Sequence, residues 1–181
     1  PHCLDLALKA IRVSGLPDPE WVIAQCTGVE RFGKIPVPAD TAATIGCGPA
    51  RIHLNQGPSA RLIPGESVYW LHNTVDITGS KGRLYVTLNQ GWKLWLDGKY
   101  EEGHTGWPKN DGEAQQQMFI DLRDAIRNNT WREFPTRVQS AAVVSDVMFA
   151  CYASALGGGR VKLPAEFPDS LIDKVETLKI G

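Results

Sequence analysis

The sequence predicts an α+β domain with a large, mainly antiparallel open β-sheet and helices packed on one face. Three observations lead to this fold class. Short segments of alternating apolar and polar residues fill the centre of the chain, and they predict strands. The turns between them are too short for parallel crossovers. Helical periodicity appears at both ends, so helices can cover one face of the sheet.

A helix is predicted at the start of the chain. Leu4, Leu8 and Ile11 recur at the spacing of one helical face, which is the pattern of an amphipathic helix. Gly15 and Pro17 follow directly. Since glycine favours the end of a helix and proline cannot continue one, we expect the helix to stop there.

The central segments predict a meander of antiparallel strands. Leu84, Val86 and Leu88 alternate with Arg83, Tyr85 and Thr87, so the two sets face opposite sides of the sheet. Turn residues at 79–82, 89–91 and 97–98 separate neighbouring segments. The predicted strands are 21–27, 41–47, 50–55, 66–72, 74–78, 83–88 and 92–97. We expect the face that the helices leave open to carry Tyr69, Tyr85 and Trp95, and to join two or four copies of the chain.

Two longer helices are predicted after the strands. Asn110 and Glu113 have the spacing of a capping box, and the apolar stripe that follows consists of Ala114, Met118, Leu122, Ala125 and Ile126. The next helix is predicted over 135–156 and ends at three glycines. Its inward residues are Val144, Val147, Met148, Cys151, Tyr152 and Ala155. A short helix is expected near 170–178.

Composition excludes several classes of function. A length of 181 residues suits one domain, and a hydrophobic fraction of 43% argues against disorder. The formal net charge of −1 and the scattered cations predict no nucleic-acid partner. No stretch approaches the ~20 apolar residues of a membrane span, so no membrane is expected. The four cysteines lack a Cys-x-x-Cys pair, which favours reduced thiols and a cytoplasmic location.

The chain has no recognisable cofactor or nucleophile motif. The nearest approach to a dinucleotide fingerprint, at 46–51, lacks the third glycine, contains Pro49 and precedes no βαβ unit. No Gly-x-Ser-x-Gly elbow is present, and Ser154 is interpreted as helix packing. We therefore expect that this chain alone binds neither NAD nor NADP.

Metal binding is also not expected, because the histidines lack metal-ligand spacing. One alternative stays open: His53 and His72 could approach each other across a sheet, with Cys47 nearby. Among the tryptophans, Trp92 and Trp95 favour packing. Trp107 lies in a Gly/Pro-rich loop at 104–108, where a role as a lid or partner contact is an equal alternative to packing.

His2 is the candidate acid/base residue. It opens the first helix, and Asp5 follows three residues later. The positive end of the helix dipole favours the neutral imidazole, the form that can accept a proton from a substrate hydroxyl. On this pattern alone, a surface or capping histidine is the commoner interpretation.

Three segments together resemble the C-terminal domain of the Gfo/Idh/MocA oxidoreductase family. His2 and Asp5 match the His-x-x-Asp end of a motif that opens a helix in that family. Residues 77–84 match its Ile-x-Gly-x-x-Gly-x-Leu strand-turn-strand. Residues 150–155 echo the late helix, and residues 159–164, Gly-Arg-Val-Lys-Leu-Pro, echo the Gly-Arg-x-Val-x-Leu-Pro that follows it with one position fewer. The match runs in order from residue 2 to 164.

The resemblance implies NAD(P)-dependent oxidation of a secondary alcohol of a sugar, inositol or related polyol. It implies that 1–164 form a substrate-binding and oligomerisation domain, that 165–181 are a tail, and that the cofactor occupies a Rossmann domain absent from this chain. His2 would be catalytic, and His2, Asp5 and Trp107 would contact substrate. The family's catalytic lysine and aspartate have no counterpart here. The alternative is a non-catalytic interaction or dimerisation module with the same fold.

Overall fold

The computed structural model describes residues 2–57, 73–87, 91–104, 111–134 and 138–178. They form two compact units, one made of Pro1–Pro64 with Ala142–Gly181 and the other of Gly65–Ala141. The described part contains helices and two antiparallel four-stranded sheets, which confirms the predicted α+β class. The predicted strand 66–72, with Tyr69 and His72, and the residues Trp107 and Asn110 lie outside the described residues.

The first unit contains one of the two sheets. Its helices are α1 (His2–Val13), α3 (Val138–Gly157, whose first turn belongs to the other unit) and the short α4 (Leu171–Lys174). Its strands are β1 (Trp21–Phe32), β2 (Ile35–Cys47), β3 (Ala50–Gln56) and β8 (Val161–Lys162), in the spatial order β3-β2-β1-β8. β1 and β2 run well beyond their predicted ends, as one long hairpin that reaches past the end of β3.

Helices α1 and α3 cover one face of this sheet. Alternate residues of β1, starting at Val22, are buried while those between them are exposed, as expected for a strand covered on one side. The core under the helices consists of Leu4, Leu8, Val22, Ala24, Ala43, Ile45, Cys47, Val144, Val147, Ala150, Cys151 and Leu163. The opposite face of the sheet begins with Trp21, Ile23 and Gln25.

Both long helices of this unit end at a glycine, as predicted. Gly15 and Gly158 have φ of 70° and 69°, values that side-chain-bearing residues rarely adopt. The residue after each glycine donates its N–H to the carbonyl five positions earlier, from Leu16 to Ile11 and from Gly159 to Ser154. These are the bonds of a Schellman motif, and they satisfy carbonyls that the helix leaves unpaired.

Helix α3 is 20 residues long and, by length and composition, could cross a membrane. This differs from the sequence expectation that no stretch approaches such a span. Its buried residues Val144, Val147, Ala150 and Cys151 belong to the core against β1 and β2. These four residues therefore have a packing role, while 28% of the most apolar window of the helix is buried in the structure.

The C-terminal segment continues the first unit. Leu171 in α4 and Val175 in the following 3₁₀ turn (Val175–Thr177) are both buried, and this segment packs beside β2. Glu176 also forms an ion pair with Arg31 of β1. The short helix predicted near 170–178 is thus present, as an α-helical turn followed by a 3₁₀ turn.

The second unit contains a four-stranded meander and α2 (Asp111–Arg127). Its strands β4 (Thr74–Gly79), β5 (Gly82–Thr87), β6 (Gly91–Leu96) and β7 (Lys99–Gly103) pair in sequence order. A 3₁₀ turn (Trp131–Glu133) follows α2. Asp97 and Gly98 both have positive φ, which is typical of the tight turn joining twisted hairpin strands. Strand β7 was not predicted, because its Lys-Tyr-Glu-Glu-Gly sequence has no apolar alternation.

One predicted inward residue of α2 is exposed. Met118, Leu122 and Ala125 are half-buried, but Ile126 is 60% exposed and Phe119 is 62% exposed. Residues 119 and 126 are seven positions apart and share a helical face. That face lies beside the stripe of Met118 and Ala125, which explains why Ile126 does not join it.

Two tryptophans pack against glycines on neighbouring strands. Trp21 is paired with Gly46 and Trp92 with Gly103. A Cβ added to Gly46 or Gly103 would come within 2.1 Å or 2.4 Å of the facing indole. The missing side chain therefore makes room for the ring, which in turn covers the exposed backbone of the glycine.

Ser154 of α3 hydrogen-bonds the edge of β1 just beyond the residues that pair with β8. Strand β8 pairs only with Trp21 and Val22, so the next outward-facing N–H, that of Ala24, lies beyond it. That N–H donates to the Ser154 Oγ at 2.8 Å, and the Ser154 hydroxyl donates to the carbonyl of Gly159 at 2.5 Å. Ser154 is 1% exposed, so water cannot replace these bonds.

We therefore expect Ser154→Ala to lower the free energy of unfolding by about 1–3 kcal/mol, because it leaves a buried backbone N–H without an acceptor. Urea denaturation followed by circular dichroism measures this loss. Ser170→Ala is the matched control, since Ser170 is exposed and its side chain makes no capping hydrogen bond. Equal stability of the two variants would contradict the role assigned to Ser154.

Candidate functional site

His2 is the first residue of α1, and its side chain is exposed. Asp5 lies in the first turn of the same helix and is exposed as well. The spacing of three places both on one side of that turn. In the described part of the chain the His2 imidazole makes no hydrogen bond or ion pair, so it is available to a ligand. The roles of both residues remain predictions, and Trp107 lies outside the described residues.

The amino-terminal position of His2 is fixed by the burial of its helix. Leu4 and Leu8 are 2% and 1% exposed in the core of the first unit, and they anchor α1 two residues and six residues after His2. An acidic residue in the first turn, Asp5, also complements the positive end of the helix dipole. The start of the helix is therefore a defined place from which the His2 side chain projects into solvent.

The uncovered face of the first sheet carries a groove of about 720 Å³. Cross-strand register brings Ile23, Thr44 and His53 into one row and Gln25, Ala42 and Asn55 into the next. His53 Nδ1 lies 3.2 Å from Thr44 Oγ1. Ala155 and Gly158, at the end of α3, lie at the border of the groove. The lining contains no carboxylate among the described residues.

Trp21 lies in the adjacent row of the same face and is flanked by two arginines. The Cζ atom of Arg160 is 4.1 Å from the centre of the indole ring, and that of Arg51 is 5.0 Å away. Arg51 Nη1 also donates to the carbonyl oxygens of Gly48 and Ala50, at 2.7 Å and 2.6 Å. Lys162 is the cross-strand partner of Trp21 on the other side. We call Trp21, Arg51, Arg160 and Lys162 the Trp21 cluster.

Sequence reasoning missed the Trp21 cluster. Its members come from three separate strands and the segment before β8, and only the pairing register brings them together. The signal in the sequence is limited to Trp21 at the start of a strand and to isolated arginines. Such residues are ordinary on any sheet surface.

The alternative metal site at His53 is not assembled by the described residues. His53 pairs with Thr44 on the uncovered face, whereas Cys47 is fully buried in the core on the opposite face. His72 lies outside the described residues. Across the described part of the chain, no group of three His, Cys, Asp or Glu side chains has the geometry to hold a metal ion.

The cysteines are free thiols, and three of the four are buried. Burial raises the pKa of Cys151 to about 12, and it also raises the pKa of Cys26, although a hydrogen bond between Cys26 and Thr41 opposes the second shift. A thiol with a raised pKa is protonated at neutral pH and is a poor nucleophile. The three buried cysteines therefore act as small core residues.

The near match to a dinucleotide fingerprint at 46–51 is a hairpin turn. Cys47 pairs with Ala50, and Gly48, with φ of 59°, turns the chain between antiparallel strands β2 and β3. A phosphate-binding glycine loop instead leads from a strand into a helix whose N–H groups face the ligand. This hairpin geometry agrees with the sequence analysis, in which residues 46–51 are not a dinucleotide fingerprint.

One face of the second sheet carries exposed aromatic residues. Trp95 is 39% exposed and Tyr100 is 50% exposed, and their ring centres are 5.3 Å apart. Arg83 Cζ lies 5.9 Å from the Trp95 ring. Arg83 also pairs with Asp76 through two hydrogen bonds, which hold the pKa of the Asp76 carboxyl below its usual value. Aromatic residues interleaved with arginine are typical of protein interfaces.

Comparison with solved structures identifies oxidoreductases with the same fold. A protein from Thermotoga maritima assigned as an oxidoreductase aligns with 88% of this chain at 16% identity and a TM-score of 0.60. One from Klebsiella pneumoniae, with the same assignment, aligns with 98% at 19% identity and a TM-score of 0.55. The chain covers 45% and 50% of these two structures, so it spans about half their length.

A further structure is the WlbA dehydrogenase from Bordetella pertussis in complex with NADH and UDP-GlcNAcA. It aligns with 82% of the chain, which covers 40% of that structure, at 19% identity and a TM-score of 0.46. At that level of similarity its ligands carry no argument for this chain. No family model matches the sequence, and no curated protein is significantly similar to it.

At 16–19% identity these likenesses establish the fold alone. They agree with the α+β fold that the ordered motifs predicted, and the resemblance to the Gfo/Idh/MocA family stays a prediction. The aligned oxidoreductases say nothing by themselves about the role of His2, Asp5 or the Trp21 cluster.

The Trp21 cluster leads to a test of its packing. Gly46→Ala should lower the free energy of unfolding by about 1–3 kcal/mol, because the new methyl group would overlap the indole ring. Combining it with Trp21→Leu should recover part of the loss, since the smaller side chain frees that space. Denaturant titration of the two single variants and the double variant measures the coupling. Additive losses would contradict direct packing of Trp21 on Gly46.

Proposed function

We propose that this chain is the C-terminal substrate-binding and oligomerisation domain of an NAD(P)-dependent oxidoreductase that acts on a sugar, inositol or related polyol. The main support is structural: almost the whole chain aligns with about half of two oxidoreductases. The ordered motifs from His2 to Pro164 are an independent line of support, because they come from the sequence and not from the coordinates.

In this proposal His2 is the acid/base residue of the hydride transfer. Its imidazole would accept the proton of the reacting hydroxyl as the alcohol is oxidised. An exposed imidazole at the start of a helix anchored in the core by Leu4 and Leu8 meets the two needs of this role, which are access to substrate and a fixed position. Asp5 and Trp107 would contact the substrate nearby.

The cofactor would be held by a Rossmann domain in a longer protein. NAD or NADP supplies the hydride acceptor there, and the present chain contributes the acid/base group and part of the substrate pocket. We propose a cytoplasmic location as well, in keeping with the free cysteines.

His2→Ala in the full-length enzyme should lower kcat by about 10²–10⁴, the usual contribution of a positioned acid/base group. Steady-state kinetics with a polyol and NAD or NADP measures this effect. Lys9→Ala is the control, because Lys9 is exposed on the same helix and has no role in the proposal.

Near-wild-type turnover of the His2→Ala enzyme would contradict the catalytic role.

The isolated chain should show no saturable NADH binding by fluorescence. Tight binding of NADH by these 181 residues would contradict the proposal that a separate Rossmann domain holds the cofactor. Absence of dehydrogenase activity in the full-length protein would favour the non-catalytic interaction module.

Self-association would use the aromatic face of the second sheet, which carries Tyr85, Trp95 and Tyr100. Trp95→Glu should reduce the mass in light scattering at micromolar concentration from a dimer or tetramer to a monomer, because it places a charge in the proposed interface. Phe32→Glu is the control, since Phe32 is also apolar and is 80% exposed but lies at the tip of the β1–β2 hairpin. A monomeric mass for the unaltered chain would contradict the proposal.

A further inference from the structure

The Trp21 cluster concentrates positive charge at one end of the uncovered face of the first sheet. Arg51, Arg160 and Lys162 are all exposed and surround a single indole ring. None of the three forms an ion pair with any described residue. Like charges placed side by side on a sheet are unfavourable, and the chain as a whole has a formal charge of −1. Such a local excess of cations favours an anionic ligand.

The geometry of the two arginines suits anion recognition. The indole of Trp21, lying over Gly46, provides a flat surface on which both guanidinium groups rest. The carbonyl oxygens of Gly48 and Ala50 further fix Arg51. A guanidinium held in place loses little side-chain entropy on binding and can offer paired N–H donors to phosphate or carboxylate.

Neutral hydrogen-bonding groups lie next to the cations on the same face. Trp21 and Ile23 are successive residues on that face, about 7 Å apart, and Ile23 begins the row that contains Thr44 and His53. Gln25 and Asn55 follow in the next row. The Trp21 cluster therefore adjoins the groove on the same face, and the groove's own lining can donate to and accept from hydroxyl groups.

We propose that this face binds a polyhydroxylated organic anion, such as a sugar phosphate or sugar acid. Arg51, Arg160 and Lys162 bind the anionic group, and Gln25, Thr44, His53 and Asn55 hydrogen-bond the hydroxylated body. A groove of about 720 Å³ has room for a monosaccharide, whose charged substituent would extend to the adjoining Trp21 cluster.

This site is separate from the proposed catalytic residue. Helices α1 and α3 cover the opposite face of the sheet, and neither His2 nor a nicotinamide cofactor takes part in the binding. Loss of catalytic function in the His2 experiment would therefore leave this proposal untouched, and the two fail independently.

Isothermal titration of the full chain with four probes tests the proposal. The probes are glucose 6-phosphate, glucuronate, inorganic phosphate and glucose. We expect at least one of the two charged sugars to bind roughly tenfold more tightly than both glucose and inorganic phosphate, because only it engages the cations and the groove together. Tighter binding of glucose 6-phosphate would identify phosphate as the preferred anion, and tighter binding of glucuronate would identify carboxylate.

Three substitutions test the anion-binding part and the hydroxyl-binding part of the site separately. Arg51→Gln and Arg160→Gln should each weaken binding of the preferred charged sugar roughly tenfold. Asn55→Ala should weaken it while leaving the affinity for inorganic phosphate unchanged. Lys34→Gln, which removes an exposed cation at the hairpin tip, is the control and should change the affinity less than about twofold.

Amide NMR of the unaltered chain gives a reading that does not depend on the variants folding. The charged sugar should shift the resonances of Trp21, Ile23, Thr44 and His53 more than those of the second unit. Equal affinity for charged and neutral sugars would overturn the proposal. So would arginine variants that bind like Lys34→Gln, or shifts confined to residues outside this face.

Discussion

Burial of alternate residues of β1 and β2 beneath α1 and α3 is the constraint from which the first unit is built. Val22 and Ile45 are fully buried, as is Val147 of the covering helix. Because side chains of a strand alternate between faces, covering one set obliges the other set to face away. The groove and the Trp21 cluster both lie on that second face, so packing in the core does not determine which side chains occur there.

The close approach of α3 to the sheet depends on small residues. Ala150, Cys151 and Ser154 line the buried side of the helix in its last two turns, and small side chains let a helix lie near a strand. That proximity brings Ser154 within hydrogen-bonding distance of the Ala24 N–H. Close packing thus also supplies an acceptor for an N–H at the edge of β1. The glycines that end α3 then allow the chain to return as β8.

The proposed functions occupy separate parts of the molecule. His2 belongs to the helical layer of the first unit, the anion site to the uncovered face of its sheet, and the aromatic face to the second unit. The fold itself does not assign chemistry, which is why each proposal depends on named side chains and their surroundings.

The sequence by itself determined the α+β class, most strand positions, the glycine ends of α1 and α3 and the candidate residue His2, because these follow from local periodicity and turn chemistry. It could not supply strand β7, whose polar residues carry no alternation, or the exposure of Ile126, which depends on what packs around α2. The tertiary structure alone decided that His53 and Cys47 lie on opposite faces. It alone brought Trp21, Arg51 and Arg160 together as well, because cross-strand register joins residues that are far apart in the chain and have no local signature.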